Sequence, residues 1–307
     1  MKRDLGMPTY PSDEVIAGIF DRCSNRDRWG EHDELGTLNF VSPAKRREAA
    51  ALVHEGVTVS IARPISAVVS SVNRSPALHL MLSNGYRPWV ALDYLGVAPH
   101  GFAVTHLDAL SHVCFEGTVY NGRDAAAVLT PSGLTRGDVA AMREGIFTRG
   151  VLLDVAAAKG VDWLRPGEFV EVRDLERAEE LAGVVADRGD VVILHVGLER
   201  REKVEGPEDP DHRAGVAPDV VEWLFEREVA VYSGDCMERL PCESERFPLP
   251  LHQIGLVSMG LVMLDCPRLS PLVDACYERG RFEFLFMAAP LWLPRGTGSP
   301  VNPLCVF

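Results

Sequence analysis

Short apolar runs alternate along the chain with charged stretches punctuated by glycine or proline, and this alternation predicts most of the elements. Residues 57–62, Val-Thr-Val-Ser-Ile-Ala, alternate with a period of two and predict a half-buried strand. Residues 150–155 and 189–197 are continuous apolar runs too short for helices, so they predict buried strands. Residues 229–235 predict a third strand ending at a turn. A helix is expected over 44–55, with Ser42 as its cap, Pro43 at the tolerated first position and Gly56 as its stop. Further helices are expected at 15–23, 172–182 and 218–226. Residues 199–215, charged and carrying Pro207 and Pro210, read as a solvated loop, and 66–90 as an irregular, lid-like connection ending in Tyr86-Arg87-Pro88-Trp89. Phe282, Phe284 and Phe286 alternate as a strand. The Gly296-Thr-Gly-Ser-Pro300 stretch then reads as a turn, although its backbone N–H groups could also cradle an anion. Alternating strands and helices predict an α/β or mixed α+β protein. No repeat or linker interrupts it, so the expectation is an N-terminal arm (1–27) followed by a single domain with insertions (28–307).

Composition narrows the classes of partner. Of 307 residues 47% are hydrophobic and 24% charged, enough for a large core under an ordinary soluble surface. The net charge of −13 and the lack of a basic run argue against a nucleic-acid partner. No apolar stretch approaches the ~20 residues of a spanning helix, so no membrane partner is expected. Met1-Lys2-Arg3-Asp4 leads into no apolar run, so no signal peptide is expected either. Seven scattered cysteines with no Cys-x-x-Cys pair read as reduced thiols, and the expected compartment is cytoplasmic.

The chemistry concentrates in His100-Gly-Phe-Ala-Val-Thr-His106-Leu-Asp108-Ala-Leu-Ser-His112, which holds three of the nine histidines. His106 and Asp108, two apart, leave one face of an extended strand together. Imidazole and carboxylate on one face suit a divalent metal such as zinc or manganese, and a further histidine suits proton transfer. The same spacing also suits a polar strand end, or a helix start capped by Thr105 or Asp108. Downstream, His252 and Asp265 lie thirteen residues apart and could meet if a helix runs into a strand between them. His195, closing the 189–197 run, reads more simply as a hydrogen-bonded core histidine than as a pocket residue.

Thr105-His106-Leu-Asp108-Ala-Leu-Ser-His112 resembles the His-x-Gly-Thr-His-x-Asp-x-Pro-x-His motif of the cyclase family, which includes bacterial kynurenine formamidase and isatin hydrolase. The likeness extends to Trp29-Gly30 and Asp33-Glu-Leu-Gly-Thr-Leu-Asn39, to Gly117-Thr-Val-Tyr120-Asn121-Gly122, and to the tail. It covers residues 28–307. Phe102 stands where the family has its first histidine, Val104 replaces glycine, Leu110 replaces proline, and Asp265 stands where glutamate is usual. His100, two residues upstream, is the candidate to supply the missing ligand.

The resemblance implies a swivelling β/β/α fold, a homodimer or higher homo-oligomer, and a zinc or manganese site built from His106, Asp108, His252 and Asp265. It also implies His112 as proton donor and acceptor, with Asp108 beside it. The ion would lower the pKa of a water and polarise a carbonyl. The implied reaction is hydrolysis of a small cyclic or aryl amide, formamide or lactam, with Phe102, Trp29, Trp89 and Tyr120 as candidates to pack the ring. Two alternatives stay open: a metal-weak or metal-free cyclase, dehydratase or isomerase of natural-product biosynthesis, and a non-catalytic binding protein on the same fold.

Overall fold

Four parallel strands form the centre of the molecule, and their sequences explain why. In the computed structural model, which describes residues 10–82 and 90–307, the apolar runs become strands buried on both faces. They therefore read as continuous rather than alternating patterns. We label the strands of the main sheet β1 (Thr58–Ser60), β2 (His106–Asp108), β3 (Ile146–Asp154), β4 (Val191–His195), β5 (Val231–Gly234), β6 (Val262–Asp265), β7 (Glu283–Ala288), β8 (Gly298–Pro300) and β9 (Leu304–Val306). Their order is β1-β9-β7-β3-β4-β5-β6-β2-β8. β3, β4, β5 and β6 are parallel, and every outer pairing is antiparallel. Val191, Val192, Ile193 and Leu194 of β4 are wholly buried.

Helices α1 (Asp13–Arg22), α2 (Pro43–Ala50), α3 (Val172–Ala182), α4 (Leu198–Glu205), α5 (Asp219–Glu226) and α6 (Ser270–Arg279) complete the mixed α/β architecture expected from the alternation. One contiguous apolar core runs from Ile16 of α1 to Phe307. α3 occupies its expected span, closed by a reciprocal Glu171–Asp174 capping box at one end and left-handed Gly183 at the other.

Departures from the expected elements have local causes. α2 stops at Ala50 because the following residues turn so that Glu55 and Gly56 donate their N–H groups to the Phe307 carbonyl. β3 begins four residues early because β7 pairs with it from Ile146 onward. The segment expected as an N-terminal arm is part of the core from Asp13 on. Ile16 and Ile19 are buried, and Asn25 donates its backbone N–H to Ser258 O and its amide to Met259 O. The charged stretch expected as a solvated loop starts as α4, and its Arg201, Glu208 and Arg213 are buried together. Within 66–90 lies one arm of a hairpin, Leu78–Met81 against Asp93–Gly96, with large apolar side chains in solvent on both arms. The Gly296–Pro300 turn carries edge strand β8, so its backbone groups pair with β2 rather than cradling an anion.

The parallel strands all deliver polar residues at one end: Asp154 from β3, His195 from β4, Asp235 just past β5 and Asp265 from β6. Such carboxyl-terminal edges are where open α/β sheets place their ligands. β2 runs antiparallel to β6, so its first residue, His106, sits directly opposite Asp265.

Candidate metal centre

β2 is only His106-Leu107-Asp108, and all three residues are buried. The two-residue period sends Leu107 into the core and holds His106 and Asp108 on the other face. Thr105 pins the strand entry: its hydroxyl donates to Cys266 O (2.7 Å) and accepts from Arg63 N–H (2.8 Å). His106 Nδ1 lies 2.8 Å from Val104 O. A carbonyl can only accept, so Nδ1 carries a hydrogen, and Nε2, 3.4 Å from Asp108 Oδ1, is the nitrogen left for a proton or a metal ion.

His252 is set the same way from a different part of the chain. It ends the short helix Pro250–His252, which continues into a buried π-helical turn, Gln253–Met259, before β6. π-helical turns recur at functional sites. Its Nδ1–H and its backbone N–H both donate to Glu238 Oε1, at 2.5 and 2.9 Å. His252 Nε2 is thereby turned to within 3.5 Å of Asp108 Oδ2 and 3.4 Å of Asp265 Oδ2.

Donor atoms of His106, Asp108 and Asp265 all lie within 4.8 Å of one another, so the shorter aspartate reaches the cage. His252 Nε2 faces the two carboxylates from the side, so a divalent ion held by the first three would engage His252 after a small side-chain shift. Both oxygens of wholly buried Asp108, and Oδ1 of Asp265, make no hydrogen bond. Nitrogens of His100, His106 and His252 approach Asp108 at 3.0–3.5 Å, and a buried carboxylate of this kind is stabilised by protonated imidazoles or by a bound cation. Burial alone would push the His106 pKa down, but Asp108 and Asp265 raise it to about 9, so these carboxylates draw positive charge into the site. His106, Asp108, His252 and Asp265 would hold the ion, and a mixed nitrogen and oxygen set suits zinc or manganese.

His100 and His112 flank this cage. His100 Nδ1 is 3.0 Å and His112 Nε2 4.0 Å from Asp108 Oδ1. Their rings are parallel within 1°, with centroids 3.7 Å apart. Imidazole lone pairs lie in the ring plane. An ion shared by two rings stacked in this way would lie out of the plane of at least one of them, away from its lone pair. Donor atoms of His100, Asp108 and His112 also lie within 4.8 Å of one another, but with the rings stacked the two histidines do not both aim a lone pair at one ion. His100 is further held by Thr297 Oγ1, 3.0 Å from its Nε2. Its ring rests over Gly298, where a Cβ would come within 2.6 Å of His100 Cε1.

Phe102, at the position of the family's first histidine, lines the site cavity with the Arg213 guanidinium 4.1 Å from its ring centroid. The cavity, of about 140 Å³, is bounded by His100, His106, Asp108, His112, His252 and Asp265 on the polar side, with Phe102, Met237, Leu240 and Leu249 among its apolar walls.

The sequence model of the Cyclase family matches residues 26–238. The chain belongs to the cyclase family. A crystal structure of a novel cyclase superposes with a TM-score of 0.83 at 28% identity, covering 92% of this chain and 99% of that one. Isatin hydrolase A from Labrenzia aggregata, bound to benzyl benzoate, follows at 0.57 and 17%, covering 83% of this chain and 94% of its own. A structure described as a potential metal-dependent hydrolase with cyclase activity gives 0.52 at 15%, covering 81% of this chain and 96% of its own. The last two likenesses are of fold. A search of curated proteins found no match.

In this cyclase-family chain two of the other aromatic candidates, Tyr120 and Trp29, do not line the cavity. Tyr120 is wholly buried, donates to Asp33 Oδ2 (2.9 Å) and packs over Gly260, where a Cβ would come within 2.3 Å of its ring. It anchors the loop 29–39 to the core. Trp29 stands edge-on to Phe40 at 5.1 Å, also outside the cavity lining. Trp89 lies outside the described residues. His195 bonds to Asp154 Oδ1 at 3.0 Å through Nδ1, as a hydrogen-bonded core histidine does.

Glu238 was missed in the sequence because it belongs to no motif and is one of 44 acidic residues. Its place just beyond the third parallel strand, at the ligand-binding edge, is the signal that would have singled it out. Arg213 was missed because it falls in a stretch that reads as solvated loop.

Among the described residues no helix is long and apolar enough to cross a membrane.

Proposed function

We propose that the protein is a metal-dependent hydrolase of a small cyclic or aryl amide, formamide or lactam, with His112 as its acid and base. The observation that supports this best is the division of labour among the histidines. His106 and His252 each have Nδ1 committed to an oxygen and Nε2 turned into the cage, whereas among the described residues no fixed acceptor hydrogen-bonds either nitrogen of His112. Burial, helped by the neighbouring histidines and opposed by Asp108, pushes its pKa down to about 4. His112 is therefore neutral at physiological pH, the form that can take a proton.

A divalent ion in the cage supplies Lewis acidity toward a water and a carbonyl oxygen. His112 Nε2 takes the proton from the attacking water and returns it to the leaving nitrogen. The face of His100 holds the His112 ring in plane, limiting its search for the productive orientation. The apolar wall of Phe102, Met237, Leu240 and Leu249 seats a ring and keeps bulk water out. A cavity of about 140 Å³ restricts the buried part of the substrate to about one ring.

Metal content of the wild type and of His106→Ala, Asp108→Ala and His112→Ala, after supply with zinc and manganese, tests the reading alongside turnover of aryl formamides and lactams. The first two variants should lose ion and activity together. His112→Ala should keep the ion and lose activity by at least a hundredfold. An enzyme that holds no ion under any supply would point instead to metal-free acid–base chemistry by His112 and Asp108, such as cyclisation or dehydration.

A further inference from the structure

We propose that Arg213 is the anchor for an anionic group on the substrate, a carboxylate or its equivalent, held across the cavity from the metal-binding donors. This rests on the hydrolase reading for the reaction and adds the class of substrate.

Arg213 is 6% exposed and lines the same cavity as the metal-binding donors. Its backbone pairs with Leu240 in both directions, N–H to O at 3.0 and 3.1 Å, which fixes it two residues from Glu238. One face of the guanidinium lies on Phe102. Nη2 is 2.7 Å from Glu208 Oε2, and Nη1 is buried with no hydrogen-bond partner.

Its charge is not balanced. Among the described residues Glu208, 4% exposed, is the only carboxylate paired with Arg213, and it is shared with Arg201 Nη1 at 3.3 Å. Arg201 has a second partner, Glu205, but that side chain is half exposed and its attraction is screened. Two buried guanidinium groups thus stand on one buried carboxylate. A buried donor without an acceptor is destabilising by about 1–3 kcal/mol, and more when charged. Arg63, Arg123, Arg227 and Arg239 also bury an unpaired nitrogen, yet none of them lines this cavity. Of these five, Arg213 alone belongs to the wall that a ligand in the cavity would meet.

The rest of the wall sets the polarity of that ligand. Asp108, Asp265 and Glu238 make one end a seat for a cation, Arg213 makes another a seat for an anion, and apolar side chains lie among them. About 140 Å³ is the volume of roughly five waters, or one small ring. The substrate class that fits is a one-ring aryl amide with a carboxylate on the ring. A guanidinium presents paired N–H donors that suit a two-oxygen anion.

The test compares formanilide with 2-formamidobenzoate and 3-formamidobenzoate on the zinc-loaded wild type, Arg213→Met and Arg213→Lys. Benzenesulfonate, which pairs with guanidinium and is a poor zinc ligand, is titrated calorimetrically into each. The wild type should favour at least one of the carboxylates over formanilide by tenfold or more in kcat/KM. Arg213→Met should bring that ratio near one and weaken benzenesulfonate at least tenfold with zinc content unchanged, and Arg213→Lys should fall between. If Arg213→Met fails to fold, Arg213→Met combined with Glu208→Gln removes both buried charges and takes its place. Turnover of none of the three formamides counts against the hydrolase reading, and the sulfonate titration then decides Arg213 alone. Benzenesulfonate that does not bind the wild type, or binds Arg213→Met equally well, overturns the proposal.

Discussion

Replacing Glu238 with glutamine isolates how far the metal site depends on a residue outside its ligand set. Glu238 Oε1 accepts the Nδ1–H of His252 at 2.5 Å and its backbone N–H at 2.9 Å, and the carboxylate is 5% exposed. Burial alone would raise its pKa, but His252 holds it below the usual carboxylate range, so it is an anion when it orients the ring. Glutamine keeps the shape and one acceptor but loses the charge. A hydrogen bond to a charged group contributes about 1.5–3 kcal/mol against about 1 for a neutral one. The variant also loses the electron push that an anionic partner gives a metal-binding imidazole. Together these predict metal affinity weaker by about 10- to 100-fold, or about 1.4–2.8 kcal/mol. Competition titration of zinc against a chelator of known affinity reads the loss directly. Glu179→Gln is the control, because it removes a carboxylate that binds Ala186 N–H and Arg227 far from the cage. Glu238→Gln with wild-type zinc affinity, in a protein that melts normally, would refute the orienting role and with it the assignment of His252 Nε2 as a ligand.

Two further outcomes follow from other parts of the molecule. The buried His195–Asp154 pair raises the His195 pKa against the opposing effect of burial, and lowers that of Asp154. A raised histidine contributes stability below its unfolded pKa of about 6.5 and loses it as pH rises through the folded value. A lowered aspartate contributes above about 3.9 and loses it as pH falls. His195→Gln should therefore destabilise by about 1–2 kcal/mol more at pH 5.5 than at pH 9 in paired denaturant melts, and an equal loss at both would refute the ion pair. The family resemblance implies a homodimer or higher homo-oligomer, and we propose the exposed hairpin as the surface through which copies would pair. Leu78, Leu80, Met81, Leu82, Val90, Leu92, Tyr94 and Leu95 are each 41–60% exposed on the hairpin. Eight exposed apolar side chains on one hairpin form the contiguous kind of patch that marks an interaction surface. Light scattering at micromolar concentration should show a dimer that Leu80→Asp with Tyr94→Asp, opposite each other in the hairpin, converts to monomer. A monomeric wild type would refute this.

The elements legible in the sequence are those whose pattern is set locally. The Val-Val-Ile-Leu run of β4 could only be a strand buried on both faces, and α3 carries its own cap and stop. The two-residue spacing of His106 and Asp108 likewise determined that they share a face wherever the strand lay. The tertiary structure decided what that face meets. The antiparallel register of β2 on β6 brings Asp265 opposite His106, and a π-helical turn returns His252 to them across 146 positions of sequence. Glu238 and Arg213 acquire meaning only there, because a lone carboxylate or guanidinium has no period to betray it. Tyr120 and Trp29 show the converse. Aromatic residues look alike in sequence whether they line a cavity or plug a core, and only the packing around Gly260 and Phe40 assigns them to the core. Local pattern selects secondary structure because backbone geometry is periodic. A site is an agreement among distant side chains in distance and charge, which folding alone establishes.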